Sequence, residues 1–339
     1  MSTGGFALHG YNEGSLLQRM LLLKASDSFG DCLSHASSLS NDQIVIADYG
    51  SSEGFNSMIF LSRVLSKFRE TSPQSILVVH NDLPDNNWVK TFKTLLEFEE
   101  SYIKVPNVYF SAIGRSFYDQ VLPNNSVHLG FSSAALHWLS RPLCAPDHVI
   151  PSASKDPEFK AIVAEVAHND LVTLLRQRHK ELVNSGRLII QILDDTLPTV
   201  MSSVIFNSTT EIMCAKGFIS EEEKRSITVP TYGRSDEEIQ RALAEVSSLY
   251  RVISLGKVGG EQFLHEDLPP EVLPKVLDGF KRLSLSSLKG ILQKVVKKSE
   301  EERNQIYEHY IREVTDFIET NQNWNWSQYH SIVLEKISP

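Results

Sequence analysis

Short apolar runs rich in branched side chains alternate with longer amphipathic stretches along most of the chain. Several of these runs end in a turn that contains glycine, asparagine or serine, which is typical of buried parallel strands. Strands are predicted at residues 43–48, 75–79, 107–113, 127–131, 187–193, 250–255 and 331–334. Helices are predicted at residues 15–23, 56–69, 87–99 and 156–184, and over most of 270–320.

Strand, turn and helix in repetition predict an α/β fold, with a doubly wound, Rossmann-like sheet and a helical cap over a substrate pocket. The α/β core is expected to comprise residues 1–150, 185–260 and 325–339. The cap is expected to comprise residues 151–184 and 261–324, with parts of 200–240. In an open sheet of this kind, ligands bind at the carboxyl edge of the strands, so the site is expected there.

Charge and cysteine content exclude several function classes. The net charge of −9 and the lack of a basic stripe argue against a nucleic-acid partner. The cysteines Cys32, Cys144 and Cys214 lie too far apart for a zinc motif or a disulfide framework, so we expect no metal. No apolar run approaches the ~20 residues of a membrane span. A cytoplasmic protein without membrane contact is expected.

The turn after the first predicted strand reads DYGSSEG, from Asp48 to Gly54. Its glycines let backbone N–H groups approach a ligand, but their spacing matches neither a dinucleotide fingerprint nor a phosphate loop. Asp48 suits a cationic ligand such as S-adenosylmethionine (SAM), which is a sulfonium with an ammonium group and no phosphate. Asp82, after the second strand, offers two oxygens to ribose hydroxyls. A tight strand-closing turn and a capping aspartate remain open as alternatives.

Further segments occur in a specific order. Residues 10–19, 46–57, 81–87, 116–123 and 132–140 read GYNEGSLLQR, IADYGSSEGFNS, NDLPDNN, SFYDQVLP and SSAALHWLS. With these segments the chain resembles the SABATH family of SAM-dependent carboxyl methyltransferases, and its non-plant members in particular. The resemblance spans most of the chain and implies a Rossmann-like methyltransferase core, SAM as cofactor and S-adenosylhomocysteine as its product. It also implies a homodimer.

The resemblance further implies which residues bind the cofactor. Those around its methionine part would be Tyr11, Ser15, Asp48, Gly50 and Asn56. Asp82 and Leu83 would hold the ribose and adenine, and Ser116 and Phe117 would close over the adenine.

For the substrate, the resemblance implies a small-molecule carboxylic acid whose carboxylate is gripped by Gln18 and Trp138. Such an acid is already ionised near neutral pH, so methyl transfer to it requires no general base. Gln18 and Trp138 suit this task because neutral N–H donors orient the anion without withdrawing its electron density. His137 is interpreted as a pocket-wall or second-layer residue, and Ala134 replaces an aromatic residue common in plant members. His80 is interpreted as structural.

Three alternatives remain beside carboxyl methylation. The first is an N-methyltransferase of a small heterocycle, for which Gln18 and Trp138 would lose their stated purpose. The second is a non-catalytic relative that binds the cofactor without turnover. The third is a dinucleotide-dependent oxidoreductase, which the glycine spacing disfavours.

Overall fold

The computed structural model describes residues 11–195, 206–259, 273–320 and 328–338. Within them, seven strands form one sheet in the order β3-β2-β1-β4-β5-β7-β6. Strands β1 to β5 are parallel, whereas β7 runs antiparallel to both β5 and β6. The strands are β1 Gln43–Tyr49, β2 Ser75–Asp82, β3 Val108–Gly114, β4 Val127–Ser133, β5 Leu182–Leu193, β6 Tyr250–Gly259 and β7 Gln328–Lys336. The predicted α/β fold is confirmed.

Helices cover both faces of this sheet. They are α1 Tyr11–Gly14, α2 Leu16–Lys24, α3 Ser26–Ser38, α4 Phe55–Arg69, α5 Trp88–Glu97, α6 Pro157–Glu181, α7 Thr209–Ala215, α8 Glu221–Ser226, α9 Asp236–Glu245, α10 Leu273–Val295 and α11 Glu300–Thr320. Short 3₁₀ turns lie at Tyr102–Lys104 and Pro151–Ala153, and residues 206–208 form a π-helical turn. No helix in the described part of the chain is long and apolar enough to cross a membrane.

The two faces of the sheet have separate hydrophobic cores because side chains alternate along each strand. Ile44 and Ile46 of β1 point to one face, where they pack with Phe29 of α3 and Met58 of α4. Tyr49 points to the opposite face and packs with residues of α6 and α9. The end of β1 therefore presents Asp48 and Tyr49 to different layers of the molecule.

A third apolar cluster lies among the helices beyond the sheet. Met213 of α7, Leu288 and Ile291 of α10 and Tyr310 of α11 are buried together there, and Trp138 packs against them. Its helices α7, α10 and α11 come from the parts of the chain predicted as the cap, 261–324 and parts of 200–240. The cluster brings the segment after β4 into contact with α7, α10 and α11.

The predicted helix at residues 156–184 differs from the structure in its end and in its packing. Residues 156–184 were predicted as one helix, but α6 ends at Glu181 and β5 begins at Leu182. Leu171 and Leu175 of α6 pack against the sheet, although 151–184 were expected in the cap. The division into core and cap as separate units stays a prediction.

Candidate active site

The site lies where the sheet reverses its strand order. Strand β1 pairs with β2 on one side and β4 on the other, so the loops after β1 and β4 face each other across the carboxyl edge. Such switch points are where doubly wound sheets bind ligands. A cavity opens between these loops. It is lined by Tyr11, Gly50, Ser52, Asp82, Leu83, Ser116, Phe117, Tyr118, Ala134, Ala135, Trp138, Leu139 and Ser140.

The loop after β1 needs glycine at position 50. Gly50 has a φ of +88°, which favours glycine. A Cβ there would also overlap the Cβ of Ala135 from the loop after β4. The two loops therefore touch, and the absence of a side chain at Gly50 allows them to approach across the cavity.

Asp82 at the end of β2 connects two backbone segments. Its Oδ2 accepts a hydrogen bond from the Ser52 N–H at 2.6 Å, and its Oδ1 accepts one from the Leu83 N–H at 2.8 Å. Burial raises the pKa of this carboxyl to about 6, although the two backbone donors act in the opposite direction. Each carboxylate oxygen retains a further lone pair for a ligand hydroxyl.

The loop that carries Phe117 is fixed by a fully buried ion pair of α6. The Arg178 guanidinium donates to the carbonyl oxygens of Phe117 at 2.6 Å and Asp119 at 2.7 Å, and to Glu181 at 2.8 Å. Glu181 in turn accepts from the N–H groups of residues 121 and 122 and from the Tyr49 hydroxyl. The loop is thus tied to β1 and α6.

The segment after β4 positions Trp138 at the cavity wall. It begins with Ala134, whose φ of +53° turns the chain sharply away from the strand. The Tyr118 hydroxyl donates to the Trp138 carbonyl at 2.7 Å. Trp138 also forms a bridge with Thr231, so its backbone is held from two sides. Among the described residues, no hydrogen bond engages the Trp138 indole.

His137 lies beside Trp138 but does not line the cavity. Burial lowers its pKa to about 4, and the positive charge of Arg234 contributes in the same direction. Its Nδ1 is buried and has no hydrogen-bond partner among the described residues. Of the two interpretations from the sequence, this position matches a second-layer residue.

Some predicted residues do not line the cavity. Ser15 and Asn56 are buried and bonded to each other, with Asn56 Nδ2 3.0 Å from Ser15 Oγ. Asn56 also accepts a hydrogen bond from Arg19. Asp48 and Gln18 are likewise outside the cavity lining, and Gln18 is half-buried on α2. The structure therefore brings Tyr11, Gly50, Asp82, Leu83, Ser116, Phe117 and Trp138 together, and not these four.

Sequence reasoning missed three polar lining residues, Ser52, Tyr118 and Ser140. Ser52 belongs to the turn after β1, where a φ of +49° marks it as part of the loop geometry. Tyr118 follows Phe117, and their rings pack edge to face at 4.7 Å. The aromatic pair at the end of a strand was a visible signal for Tyr118. No comparable signal distinguished Ser52 from Ser51.

A family model described as SAM dependent carboxyl methyltransferase matches residues 1–336. The chain belongs to this family. The SABATH resemblance is thereby confirmed, and the dinucleotide oxidoreductase alternative loses its support.

Individual relatives of this methyltransferase agree with that assignment. Methyltransferase FUS9 of Gibberella moniliformis is 27% identical over 261 residues, which are 72% of this chain and 68% of that protein. Benzoate O-methyltransferase of Zea mays is 26% identical over 237 residues, 58% of this chain and 61% of the relative. A solved structure described as loganic acid methyltransferase with SAH has a TM-score of 0.76 at 19% identity and covers 99% of both chains. That likeness shows the fold.

The lining of the cavity fits the cofactor of this family. SAM has a ribose diol, an adenine, a sulfonium and an amino-acid part. Asp82 and Phe117 line the cavity, and a carboxylate and an aromatic ring are groups that suit a ribose diol and an adenine. The Ser51 and Ser52 hydroxyls are buried without partners among the described residues, so polar contacts remain available beside Gly50. No cluster of three or more potential metal ligands occurs among the described residues.

Replacing Gly50 with alanine should weaken SAM binding at least tenfold. The new Cβ would both strain the backbone, by ~1–2 kcal/mol, and push Ala135 away. Gly217→Ala is the matched control, because Gly217 also has a positive φ, +74°, but nothing lies within 4 Å of its Cβ position. Calorimetric titration with SAM and thermal melts would compare the two. Wild-type affinity for SAM in Gly50→Ala would contradict the importance of the close approach between Gly50 and Ala135 for the cofactor site.

Acid should weaken SAM binding through Asp82. With a pKa of about 6, the carboxyl is ionised at pH 8 and largely protonated at pH 5, where it is a poorer acceptor for two hydroxyls. The dissociation constant should be flat above about pH 7 and rise toward tenfold per unit below about pH 6. Asp82→Asn should bind weakly at every pH and lose this slope. An identical slope in both proteins would assign the titration to another group.

Proposed function

We propose that this enzyme forms the methyl ester of a small-molecule carboxylic acid by in-line transfer from SAM, without a general base. One observation carries the proposal. A single cavity joins Gly50, Ser52 and Asp82, which suit the cofactor, to Ala134 and Trp138 on the loop after β4. Cofactor and acceptor would therefore meet between β1 and β4.

The cofactor end of the cavity is proposed to work through four lining residues. Asp82 would accept both ribose hydroxyls, and the Leu83 side chain would contact the adenine. Ser116 and Phe117 would close over the other side of the ring from a loop that Arg178 holds in place. When bound there, SAM supplies the electrophilic methyl group.

The methionine part is proposed to extend from Gly50 toward Tyr11, which also lines the cavity. Ser15, Asp48 and Asn56 are not part of the cavity lining. Ser15 and Asn56 would contribute by fixing α2 against α4, because their hydrogen bond joins the two helices. Asp48 would contribute negative charge for the ammonium group.

At the acceptor end, Trp138 would donate its indole N–H to the substrate carboxylate. Gln18 is proposed as the second donor, reaching from α2. Neutral donors fix the direction of the attacking oxygen while it keeps its electron density. Holding oxygen, methyl carbon and sulfur in line lowers the activation free energy by up to ~7–11 kcal/mol.

A general base is unnecessary for this acceptor, and the site offers a weak one. The substrate oxygen is already ionised at neutral pH. His137 has a pKa of about 4 and stands behind the cavity wall, so it is a poor proton acceptor. A heterocyclic nitrogen that must lose a proton would be served badly by this arrangement.

The deciding experiment is a screen with SAM labelled in its methyl group. Purified enzyme would be incubated with aromatic, fatty, terpenoid and indole acids, and the products treated with mild alkali. Alkali releases the label from methyl esters and leaves N-methyl groups intact. Label that survives alkali would favour the N-methyltransferase alternative. Cofactor binding without any product would favour a non-catalytic relative.

Two further expectations stay predictions. A homodimer would be tested by analytical ultracentrifugation of the full chain. A cytoplasmic location would be tested by fractionation of the source cells.

A further inference from the structure

A buried chain of hydrogen bonds reaches Asp48 from behind the cavity. The His80 Nδ1 lies 3.0 Å from Asp48 Oδ2, and its Nε2 lies 2.7 Å from the Tyr102 hydroxyl. Asp48 and His80 are direct neighbours in the parallel register of β1 and β2, so their side chains emerge on the same face of the sheet. His80 and Tyr102 are fully buried, and Asp48 is 3% exposed.

One arrangement of protons satisfies this chain. A carboxylate only accepts hydrogen bonds, so His80 donates from Nδ1 to Asp48. Nε2 is then the acceptor for the Tyr102 hydroxyl, which has no other hydrogen-bond partner among the described residues. The direction of donation therefore runs from Tyr102 through His80 to Asp48.

The other oxygen of Asp48 remains available. Among the described residues, Oδ1 makes no hydrogen bond. The carboxylate also acts on the lining residue Tyr11. Burial raises the pKa of Tyr11, and the negative charges of Asp82 and Asp48 raise it further. Asp48 thus directs negative potential toward the part of the cavity that Tyr11 lines.

We propose that His80 and Tyr102 are positioning residues that hold Asp48 with its Oδ1 toward the ammonium group of the cofactor. The inference rests on the proposed role of Asp48 in cofactor binding. Neither His80 nor Tyr102 lines the cavity, so both act through the carboxylate. A fixed, buried carboxylate attracts a cation more strongly than one that must reorient, because little reorganisation accompanies binding.

Two ligands separate this role from a merely structural one. S-adenosylhomocysteine contains the ammonium group, whereas 5′-methylthioadenosine lacks the amino-acid part. His80→Leu should weaken the binding of S-adenosylhomocysteine about tenfold, which corresponds to one charge-assisted hydrogen bond. The affinity for 5′-methylthioadenosine should change less than about twofold. Isothermal titration calorimetry on the full chain measures both affinities.

A graded series sharpens the test. His80→Asn places an amide N–H near the former Nδ1 and should restore part of the affinity for S-adenosylhomocysteine. Tyr102→Phe leaves the hydrogen bond from His80 to Asp48 intact and should weaken the binding of S-adenosylhomocysteine about threefold. Tyr250→Phe is the matched control, since the Tyr250 hydroxyl is also buried and donates to the Leu175 carbonyl at 2.8 Å, outside the cavity lining. The control should retain wild-type affinity for both ligands.

Equal losses for both ligands in His80→Leu would overturn the proposal, because they would indicate a general deformation of the site. Wild-type affinity for S-adenosylhomocysteine in that variant would overturn it as well. The titrations need no acceptor, so failure of the carboxyl acceptor proposal would show only in the methyl-transfer screen. Wild-type protein that did not bind S-adenosylhomocysteine would contradict both proposals.

Discussion

Replacing Asp82 with alanine should raise the dissociation constant of SAM roughly 100-fold or more. Two hydrogen bonds from ribose hydroxyls to an ionised acceptor would be lost, each worth ~1.5–3 kcal/mol, and every 1.4 kcal/mol is tenfold. The loop after β1 would also lose one of its tethers, because Asp82 Oδ2 accepts from the Ser52 N–H. Calorimetric titration with SAM at pH 8, where the wild-type carboxyl is ionised, measures the effect.

The fold of the Asp82 variant should survive. Burial raises the pKa of this carboxyl to about 6, so the native protein holds its proton more tightly than the unfolded chain does. Stability therefore decreases as pH rises between about 4 and 6, and the ionised form above that range is disfavoured by folding. Asp82→Asn serves as the control that keeps one acceptor oxygen. Its affinity for SAM should lie between those of the wild-type protein and Asp82→Ala. An unfolded variant or unchanged affinity would contradict the assignment.

Trp138→Phe should lower kcat/KM for the best acid roughly 10- to 100-fold while SAM affinity stays within about twofold. Phenylalanine keeps most of the packing of Trp138 against the cap but removes the indole N–H. The expected loss is that of one hydrogen bond to an ionised partner, ~1.5–3 kcal/mol. Initial rates at saturating SAM, combined with a SAM titration, separate the two quantities.

Trp88→Phe is the matched control for this change. Trp88 packs against Phe92 on α5 and is not part of the cavity lining. It should leave kcat/KM for the acid near the wild-type value. Gln18→Ala should resemble Trp138→Phe, since both residues are proposed to hold the same carboxylate. An equal fall in SAM affinity and acid turnover would mean that Trp138 supports the whole site rather than the acceptor.

The parallel core was predictable because its signal is local. Residues of β1 and β2 form continuous apolar runs, and buried strands need little else to be recognised. The antiparallel direction of β7 was not predictable, since it depends on how a long connection returns to the sheet. The end of α6 was misplaced for a similar reason. Glu181 is held by Arg178 and by backbone groups about 60 residues away, which no local pattern reveals.

One missed boundary had a local signal. The predicted stretch 270–320 is two helices, separated at residues 296–299. Ser299 and Glu302 exchange hydrogen bonds there, as in the Ser-x-x-Glu pattern that starts helices. That pattern is present in the sequence, so attention to helix starts would have found the break.

The site residues that lie at strand ends were predictable, whereas those whose contacts depend on tertiary packing were not. Gly50 and Asp82 act at strand ends, where the fold itself determines their place, and both line the cavity. Ser15 and Asn56 instead satisfy each other across two helices, an arrangement that depends on tertiary packing. The link from Tyr102 to Asp48 has the same origin, since its residues are 22 and 32 positions apart.

The buried pair of Arg178 and Glu181 has a consequence for engineering. Loss of either partner alone would strand the other's charge in the interior, at a cost of ~3–5 kcal/mol. A chimera that imports residues 116–122 from a homologue would therefore need residues at positions 178 and 181 that bond the backbone of the new loop. Libraries meant to retune this protein by directed evolution should keep the two codons fixed, or vary them only together.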